Sequence, residues 1–176
     1  KNIKVFKPQI IIHMAGLSRP MNLHDKHIST SIDKNIIGTC NIVKLCKKFN
    51  IKLIYFSTSY VYPSEKGNCA EINALKPFNN YAWSKLGGEA SVHLYKNSLI
   101  LRLCMTDFPF VHKKAIKGAK SSFIYNKTVA KLLPLLLNEK GILNIGGKRR
   151  DIYQFAKESS EKKIKPINFK KIKNFP

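Results

Sequence analysis

The sequence predicts an α/β fold on a parallel sheet, and three observations carry that prediction. Short apolar runs bounded by Pro, Gly and Asn alternate with stretches whose apolar residues recur at helical spacing. Strands that alternate with helices pair in parallel, because the helix is the crossover between them. With 176 residues, 44% of them hydrophobic, the chain can bury one sizeable core and is expected to form one domain or part of one.

Residues 9–14 (Gln9-Ile10-Ile11-Ile12-His13-Met14) read as a buried strand and 15–25 as a loop. Residues 26–49 read as a helix, because Ile28, Ile32, Ile36, Cys40, Val43 and Leu45 hold an apolar stripe. A strand follows at 52–57, then a loop at 62–76 containing Pro63 and Gly67. A helix is expected at 79–95 and a strand at 98–103. A further helix at 126–139, kinked by Pro134, stops at Gly141. A short strand covers 142–145, and Asp151 caps a helix running to about residue 158. From 159 to 176 the chain is charged and poor in apolar residues, so a loose basic tail is expected. No internal repeat is seen.

The formal net charge of +22 raises a nucleic-acid reading. Against it, 28 of the 32 basic residues are lysines spread along the chain, and no RNA- or DNA-binding motif accompanies them. With Ile and Asn also abundant, the pattern reads as AT-rich codon bias on a solvated surface. No nucleic-acid partner is expected, and the positive field favours a diphosphate substrate. The absence of a signal peptide and of an apolar run near 18 residues predicts no membrane span. Cys40, Cys46, Cys69 and Cys104 lack C-x-x-C spacing, which fits a reducing cytoplasm. His24 and His27 have H-x-x-H spacing but no further ligand, so they read as surface histidines and no metal is expected.

The most informative stretch is Phe56-Ser57-Thr58-Ser59-Tyr60-Val61-Tyr62, followed by Tyr81-Ala82-Trp83-Ser84-Lys85. The apolar run from Leu53 to Phe56 delivers hydroxyl side chains to a strand end. Tyr81 and Lys85, four apart, share one face of a predicted helix. A hydroxyl, a phenol and an ammonium are the equipment for moving a proton to or from a carbonyl or alcohol oxygen during hydride transfer. The Tyr-x-x-x-Lys spacing occurs three times, as Tyr62/Lys66, Tyr81/Lys85 and Tyr153/Lys157. Context selects Tyr81/Lys85, which opens an amphipathic helix after the loop Lys76-Pro77-Phe78-Asn79-Asn80 and runs into Leu86-Gly87-Gly88-Glu89.

This segment resembles the extended short-chain dehydrogenase/reductases, in the sugar-nucleotide branch that includes dTDP-4-dehydrorhamnose reductase and the NAD-dependent epimerase/dehydratases. The resemblance covers roughly residues 5 to 157. Pro8-Gln9-Ile10-Ile11-Ile12-His13-Met14-Ala15-Gly16 is similar to the strand that ends in a small-residue pair beside the cofactor. Asn35-Ile36-Ile37-Gly38-Thr39-Cys40-Asn41 is similar to the Asn-x-x-Gly-Thr-x-Asn helix of the family. The strands Leu99-Ile100-Leu101-Arg102-Leu103 and Ile142-Leu143-Asn144-Ile145-Gly146-Gly147 follow in the family's order.

The resemblance implies Thr58, Tyr81 and Lys85 as catalytic residues. Tyr81 would be the general acid and Thr58 would hydrogen-bond the same substrate oxygen. Lys85 would hold the nicotinamide ribose and lower the Tyr81 pKa. Ala15 and Gly16, with Tyr81 and Lys85, would meet NADP or NAD; a plain tight turn is the alternative for the small pair. Ser18, Arg19, Ser59 and Tyr60 would contact a nucleotide-sugar substrate, Arg19 through a phosphate. Asn35 would support the active-site lysine or its surrounding backbone, or make a structural helix-to-strand hydrogen bond. Residues 105–110 line a sugar pocket or simply pack. Relatives often dimerise through the helices at 26–49 and 79–95, so a homodimer is the family expectation.

Two departures narrow the implied reaction. The dehydratase branch carries Asp-Glu directly after the catalytic Thr, where this chain has Ser59-Tyr60. The branch that epimerises and reduces GDP-sugars has Cys two residues after the catalytic hydroxyl, where this chain has Tyr60. Simple 4-keto reduction needs only Thr58, Tyr81 and Lys85. The resemblance therefore implies an NAD(P)-dependent 4-keto-sugar reductase of surface polysaccharide synthesis, with a nucleotide-sugar 4-epimerase as the alternative.

No Gly-x-x-Gly-x-x-Gly or Gly-x-Gly-x-x-Gly turn occurs to receive a pyrophosphate. The chain opens at Lys1, already close to what would be the fourth strand of the family's sheet. A partial Rossmann-type doubly wound parallel sheet is therefore expected, lacking the first βαβαβ half and carrying a small C-terminal substrate-side portion. Residues 1–104 would belong to the cofactor-binding domain and 105–158 to the substrate side. A non-catalytic fragment or binding module is the alternative of another class.

Overall fold

The computed structural model of the protein describes residues 2–65 and 67–169, so Lys66 and the tail from 170 onward lie outside the described residues. Residues up to 102, joined by 137–144, form one compact unit; residues 103–136 with those from 145 onward form a second. The first unit runs through helix α1 (Asn2–Phe6), strand β1 (Ile10–His13), and helices α2 (Leu23–Lys26) and α3 (Ile28–Ser31). A π-helical segment (Ile32–Ile37), helix α4 (Gly38–Phe49), strand β2 (Lys52–Thr58) and a 3-10 turn (Ser59–Val61) follow. Helix α5 (Asn80–His93) and strand β3 (Ser98–Leu103) come next. The chain continues through β4 (Met105–Thr106), β5 (Lys114–Lys117), β6 (Lys120–Ser121), β7 (Ile124–Tyr125), α6 (Asn126–Leu132) and a 3-10 turn (Leu133–Leu136). It ends its described part with β8 (Gly141–Ile145), β9 (Arg150–Asp151), α7 (Ile152–Ser159) and β10 (Lys165–Asn168).

The main sheet is parallel, with the order β1-β2-β3-β8. β1 and β2 register Ile10 with Lys52 and His13 with Tyr55. β2 and β3 are buried along their whole length, as strands are when both sheet faces are covered. Cys46, Ile51, Leu53, Tyr55, Val92, Tyr95 and Ile100 form the core of this unit, flanked by Ile3, Ile11, Ile42, Val43 and Ile142. Tyr95 stays satisfied there by donating to the Ile51 carbonyl at 2.9 Å. In the second unit β5 pairs β10 and β4 pairs β7 in parallel, while β6 pairs β9 antiparallel.

The element boundaries follow local chemistry. Asn50 closes α4 in the left-handed conformation, φ 52, which Asn tolerates. The Asn79 side chain accepts from the Ala82 N–H at 2.8 Å and opens α5. Asp151 caps α7 by accepting from the Tyr153 and Gln154 N–H groups. The structure corrects the sequence reading in four places. The loop at 15–25 contains α2, and the helix at 26–49 is broken at His27 and carries a π segment. Within it, Ile28 and Ile32 are exposed, while Ser31, Asn35 and Thr39 are buried, so the inward face is polar. The helix at 126–139 stops at Leu132, because Pro134 lacks the N–H that would continue it, and a 3-10 turn follows. The tail is not loose at 165–168, where β10 pairs with β5.

Two features hold α5 on the sheet. Gly88 lets it approach closely: a Cβ there would lie 2.6 Å from the Asn35 carbonyl oxygen and 2.7 Å from the Tyr55 hydroxyl. Glu89 and Arg102, 3% and 4% exposed, form a buried ion pair. Arg102 Nε and Nη2 donate to Glu89 Oε1 at 3.1 and 2.6 Å, and Ser57 Oγ donates to Oε2 at 2.5 Å. Arg102 Nη1 also donates to the Tyr62 hydroxyl, which donates onward to Asn144 Oδ1. Every member is satisfied, which is the condition for burying such charges.

Gly88→Ala is expected to lower stability by about 1–3 kcal/mol, since neither contacting group is a free side-chain end; denaturant titration reads it. Glu89→Ala strands the Arg102 guanidinium and is expected to cost about 3–5 kcal/mol in the same measurement. A loss under about 1 kcal/mol would show the pair to be dispensable.

Candidate active site

In parallel α/β sheets the carboxyl ends of the strands face the ligand crevice. β2 places Thr58 at such an end, 5% exposed. Thr58 Oγ1 accepts from the Tyr60 N–H at 3.3 Å, which turns the chain away from the sheet. The Asn79 cap puts Tyr81 in the first turn of α5 and Lys85 one turn later on the same face. The Thr58 side chain is the hydrogen-bonding neighbour of the Tyr81 phenol that acts to lower its pKa. Lys85, 7% exposed, lies with Nζ 4.2 Å from the Tyr55 ring centroid.

Burial raises the Tyr81 phenol above its ordinary pKa of 10.0; the Thr58 hydrogen bond and the positive field of Arg19 oppose the rise. This corrects the expectation that Lys85 lowers it: desolvation outweighs the charges that act on the phenol. Lys85 itself is lowered by burial from 10.5 to about 8, against the pull of Glu89. His13, at the end of β1, is lowered by burial and by the Lys85 charge. Thr39 Oγ1 donates its proton to the Asn35 carbonyl, so it accepts from His13 Nε2–H at 3.0 Å. That places a neutral, Nε2-protonated imidazole beside a charged lysine.

Asn35 sits in the π segment, a device that re-aims side chains within a helix. Its amide clamps the backbone of Leu17, accepting from the N–H at 2.7 Å and donating to the carbonyl at 2.8 Å. It also donates to Ser84 Oγ at 2.8 Å, on the residue before Lys85. Gly16 abuts this amide: a Cβ there would lie 2.8 Å from Asn35 Oδ1. Ala15, Gly16, Ser18 and Arg19 are exposed, and Ser59 and Tyr60 are half-buried. The Tyr60 ring meets Phe78 and Tyr81 edge-on, with centroids at 5.2 and 6.3 Å. Thr58, Tyr60, Tyr81 and the charge of Arg19 are thus brought together, and Asn35 joins the Leu17 turn to α5. Among the described residues, Ala15, Ser18 and Ser59 make no side-chain hydrogen bond to that group.

Sequence reasoning missed three participants. His24 is buried, not at the surface, and its ring packs edge-on against Tyr81 at 5.2 Å. A helix as short as α2 has no periodicity to betray it. Tyr55 braces α5 by donating to the Lys85 carbonyl at 3.1 Å. Glu89 lies one turn beyond Lys85, and that carboxylate at i+4 was a legible signal. Among the described residues no cluster of His, Cys, Asp or Glu could hold a metal, and no helix is long and apolar enough to cross a membrane.

The Lys85 ammonium has no hydrogen-bond acceptor among the described residues, so its three donors suit the hydroxyls of a ribose. With Tyr81 beside it and a small-residue turn at 15–16, the residues present fit the nicotinamide end of a dinucleotide.

The uncharacterized UDP-glucose epimerase YtcB of Bacillus subtilis is 28% identical over 100 residues, which is 56% of this chain and 32% of that protein. The methionine adenosyltransferase 2 subunit beta of Xenopus tropicalis is 31% identical over 102 residues, 57% of this chain and 30% of that protein. The chain thus spans about a third of the length of these relatives. The solved structure of a hypothetical dTDP-4-dehydrorhamnose reductase from Sulfolobus tokodaii superposes with a TM-score of 0.80 at 25% identity, covering 94% of this chain and 67% of that one. The Bacillus anthracis dTDP-4-dehydrorhamnose reductase, in complex with NADP, has the same fold, with a TM-score of 0.80 at 19% identity over 96% of this chain and 69% of that one. A family model described as the RmlD substrate binding domain matches residues 1–106, and the chain belongs to that family.

Proposed function

We propose that this chain carries the catalytic and sugar-facing part of an NAD(P)-dependent reductase of a nucleotide-activated 4-keto-sugar, dTDP-4-dehydrorhamnose reductase-like and serving surface polysaccharide synthesis. The placing of Thr58 beside Tyr81 at the carboxyl end of β2, with buried Lys85 one turn on, carries the reading. NADP or NAD, when bound, supplies the hydride. Tyr81 Oη gives its proton to the carbonyl oxygen as that oxygen becomes an alcohol, and Thr58 Oγ1 donates a hydrogen bond to the same atom. The raised pKa of Tyr81 keeps the proton available at neutral pH. Lys85 holds the ribose hydroxyls, and Ala15 and Gly16 leave room beside the backbone for the rest of the cofactor. Ser18, Arg19, Ser59 and Tyr60 meet the nucleotide-sugar, Arg19 at a phosphate. The reductase relatives and the NADP complex support this reading. The four cysteines, none in a disulfide among the described residues, support a cytoplasmic setting.

A 4-epimerase uses the same residues, and the epimerase relative favours it as the second reading. A non-catalytic binding module is the third; the match to a methionine adenosyltransferase subunit supports it.

Calorimetric titration with NADPH and NADH, followed by assay with dTDP-4-dehydrorhamnose, separates these readings. Net loss of nicotinamide absorbance marks a reductase. Interconversion of UDP-glucose and UDP-galactose without it marks an epimerase. Cofactor binding without either conversion marks a module, and no binding sinks the reductase assignment for this chain. Under the reductase reading, Tyr81→Phe retains cofactor binding and lowers kcat by about 10²- to 10⁴-fold; Lys85→Ala weakens binding.

The pH dependence has a definite sign. Between about 8 and 10.5 the unfolded chain holds the Lys85 proton that the folded chain releases, so this group makes stability rise with pH in that window. Lys85→Met is therefore expected to exceed the parent in stability below pH 8, with the gap closing as pH rises to 10.5. Cofactor affinity should fall above about pH 8 as the ammonium deprotonates. A flat affinity profile from pH 7 to 10 would separate Lys85 from the cofactor.

A further inference from the structure

Helix α2 is docked on the start of α5 through two adjacent pairs. Asn80 Nδ2 donates to Asp25 Oδ1 at 2.8 Å, and the next residues along each helix surface, His24 and Tyr81, meet ring to ring at 5.2 Å with planes 65° apart. His24 is 1% exposed. Its Nδ1 lies 2.7 Å from Ser31 Oγ on α3, while its buried Nε2 has no hydrogen-bond partner among the described residues. The ring is thus tethered at one nitrogen and dry at the other. A buried nitrogen without a partner is unfavourable, and an apolar ring would fill the same space without that penalty. What the imidazole adds over an apolar ring is orientation: the Ser31 tether fixes the plane that it presents to Tyr81.

We propose that His24 is a positioning residue for Tyr81, holding the phenol ring in the orientation that brings its hydroxyl to Thr58 and shutting water off from the α2 side. The proposal rests on the reading of Tyr81 as proton donor. The other groups around the phenol are accounted for. Arg19 acts from the turn after β1, Thr58 and Tyr60 from the end of β2, and Tyr55 from within β2. The Asp25 charge acts to raise the His24 pKa, against the larger lowering by burial. None of these replaces the wall that His24 forms on the α2 side.

The test uses the full chain with ring-carbon-labelled tyrosine, the Tyr81 signal being assigned through Tyr81→Phe. In His24→Ala the Tyr81 phenol is expected to titrate at lower pH than in the parent, because water reaches it. His24→Phe, which keeps a ring at that place, should retain the parent titration. In turnover, His24→Ala should lower kcat by about tenfold to a hundredfold with little change in KM, and His24→Phe, which excludes water but lacks the Ser31 tether, should restore only part of it. Asp25→Ala, at an exposed residue, loosens the same helix and should move the Tyr81 titration in the same direction, which keeps the test alive if His24→Ala fails to fold. Parent-like Tyr81 titration in both His24→Ala and Asp25→Ala would overturn the proposal. Since the titration needs no turnover, loss of the reductase reading and loss of the His24 role are told apart.

Discussion

A single buried amide, that of Asn35, ties together the three segments on which the site depends. It grips both backbone groups of Leu17 and at the same time donates to Ser84. The turn after β1 and the first turns of α5 are 18 and 49 residues away in sequence, yet both are fixed to one side chain. The backbone carbonyl of Asn35 accepts from Thr39, which in turn accepts from His13. Because each partner has a limited number of donors and lone pairs, the set of protonation states is almost fully determined by the connectivity. The small residues at 16 and 88 are consequences of this arrangement: each lies where a side chain would collide with Asn35.

The second layer is electrostatic. Lys85 is buried against an aromatic face, and the carboxylate one turn away is already engaged by Arg102 and Ser57. Glu89 therefore offsets only part of the desolvation of the lysine, which leaves an ammonium that is easily discharged. The same pair runs on through Tyr62 to Asn144 on β8, so the charge state of the site and the assembly of the sheet share one hydrogen-bond chain. A polar network of this kind favours one arrangement of its elements over others, because half-satisfied alternatives leave charges unpaired.

Much of this is legible in the sequence. The alternation of short apolar runs with helical stretches fixes the order of the main elements, and four-residue spacing puts Tyr81 and Lys85 on one face. The cap residues Asn79 and Asp151 also announce their helices locally. What escaped reading depends on contacts distant in sequence or on elements too short for periodicity. The pairing of Glu89 with Arg102 and the seat of His24 beneath Tyr81 are of this kind. The apolar positions 28 and 32 were misleading, since their regular spacing describes a face that the fold leaves outside. The inward face, Ser31-Asn35-Thr39, keeps the same spacing in polar residues and was overlooked because burial was equated with hydrophobicity.

The π segment at Ile32–Ile37 changes what a residue count means along this helix. One extra residue is accommodated there without lengthening the rod in proportion, so positions before and after it belong to different angular frames, offset by about 100°. Ser31 and Thr39 bracket that offset, which brings their hydroxyls onto one buried face, where each meets its own histidine, His24 and His13. A wheel drawn through residues 28–49 at uniform pitch therefore mixes two faces into one. Comparison with relatives whose helix is regular must open a single-residue gap within 32–37, or every position upstream will be matched to the wrong side.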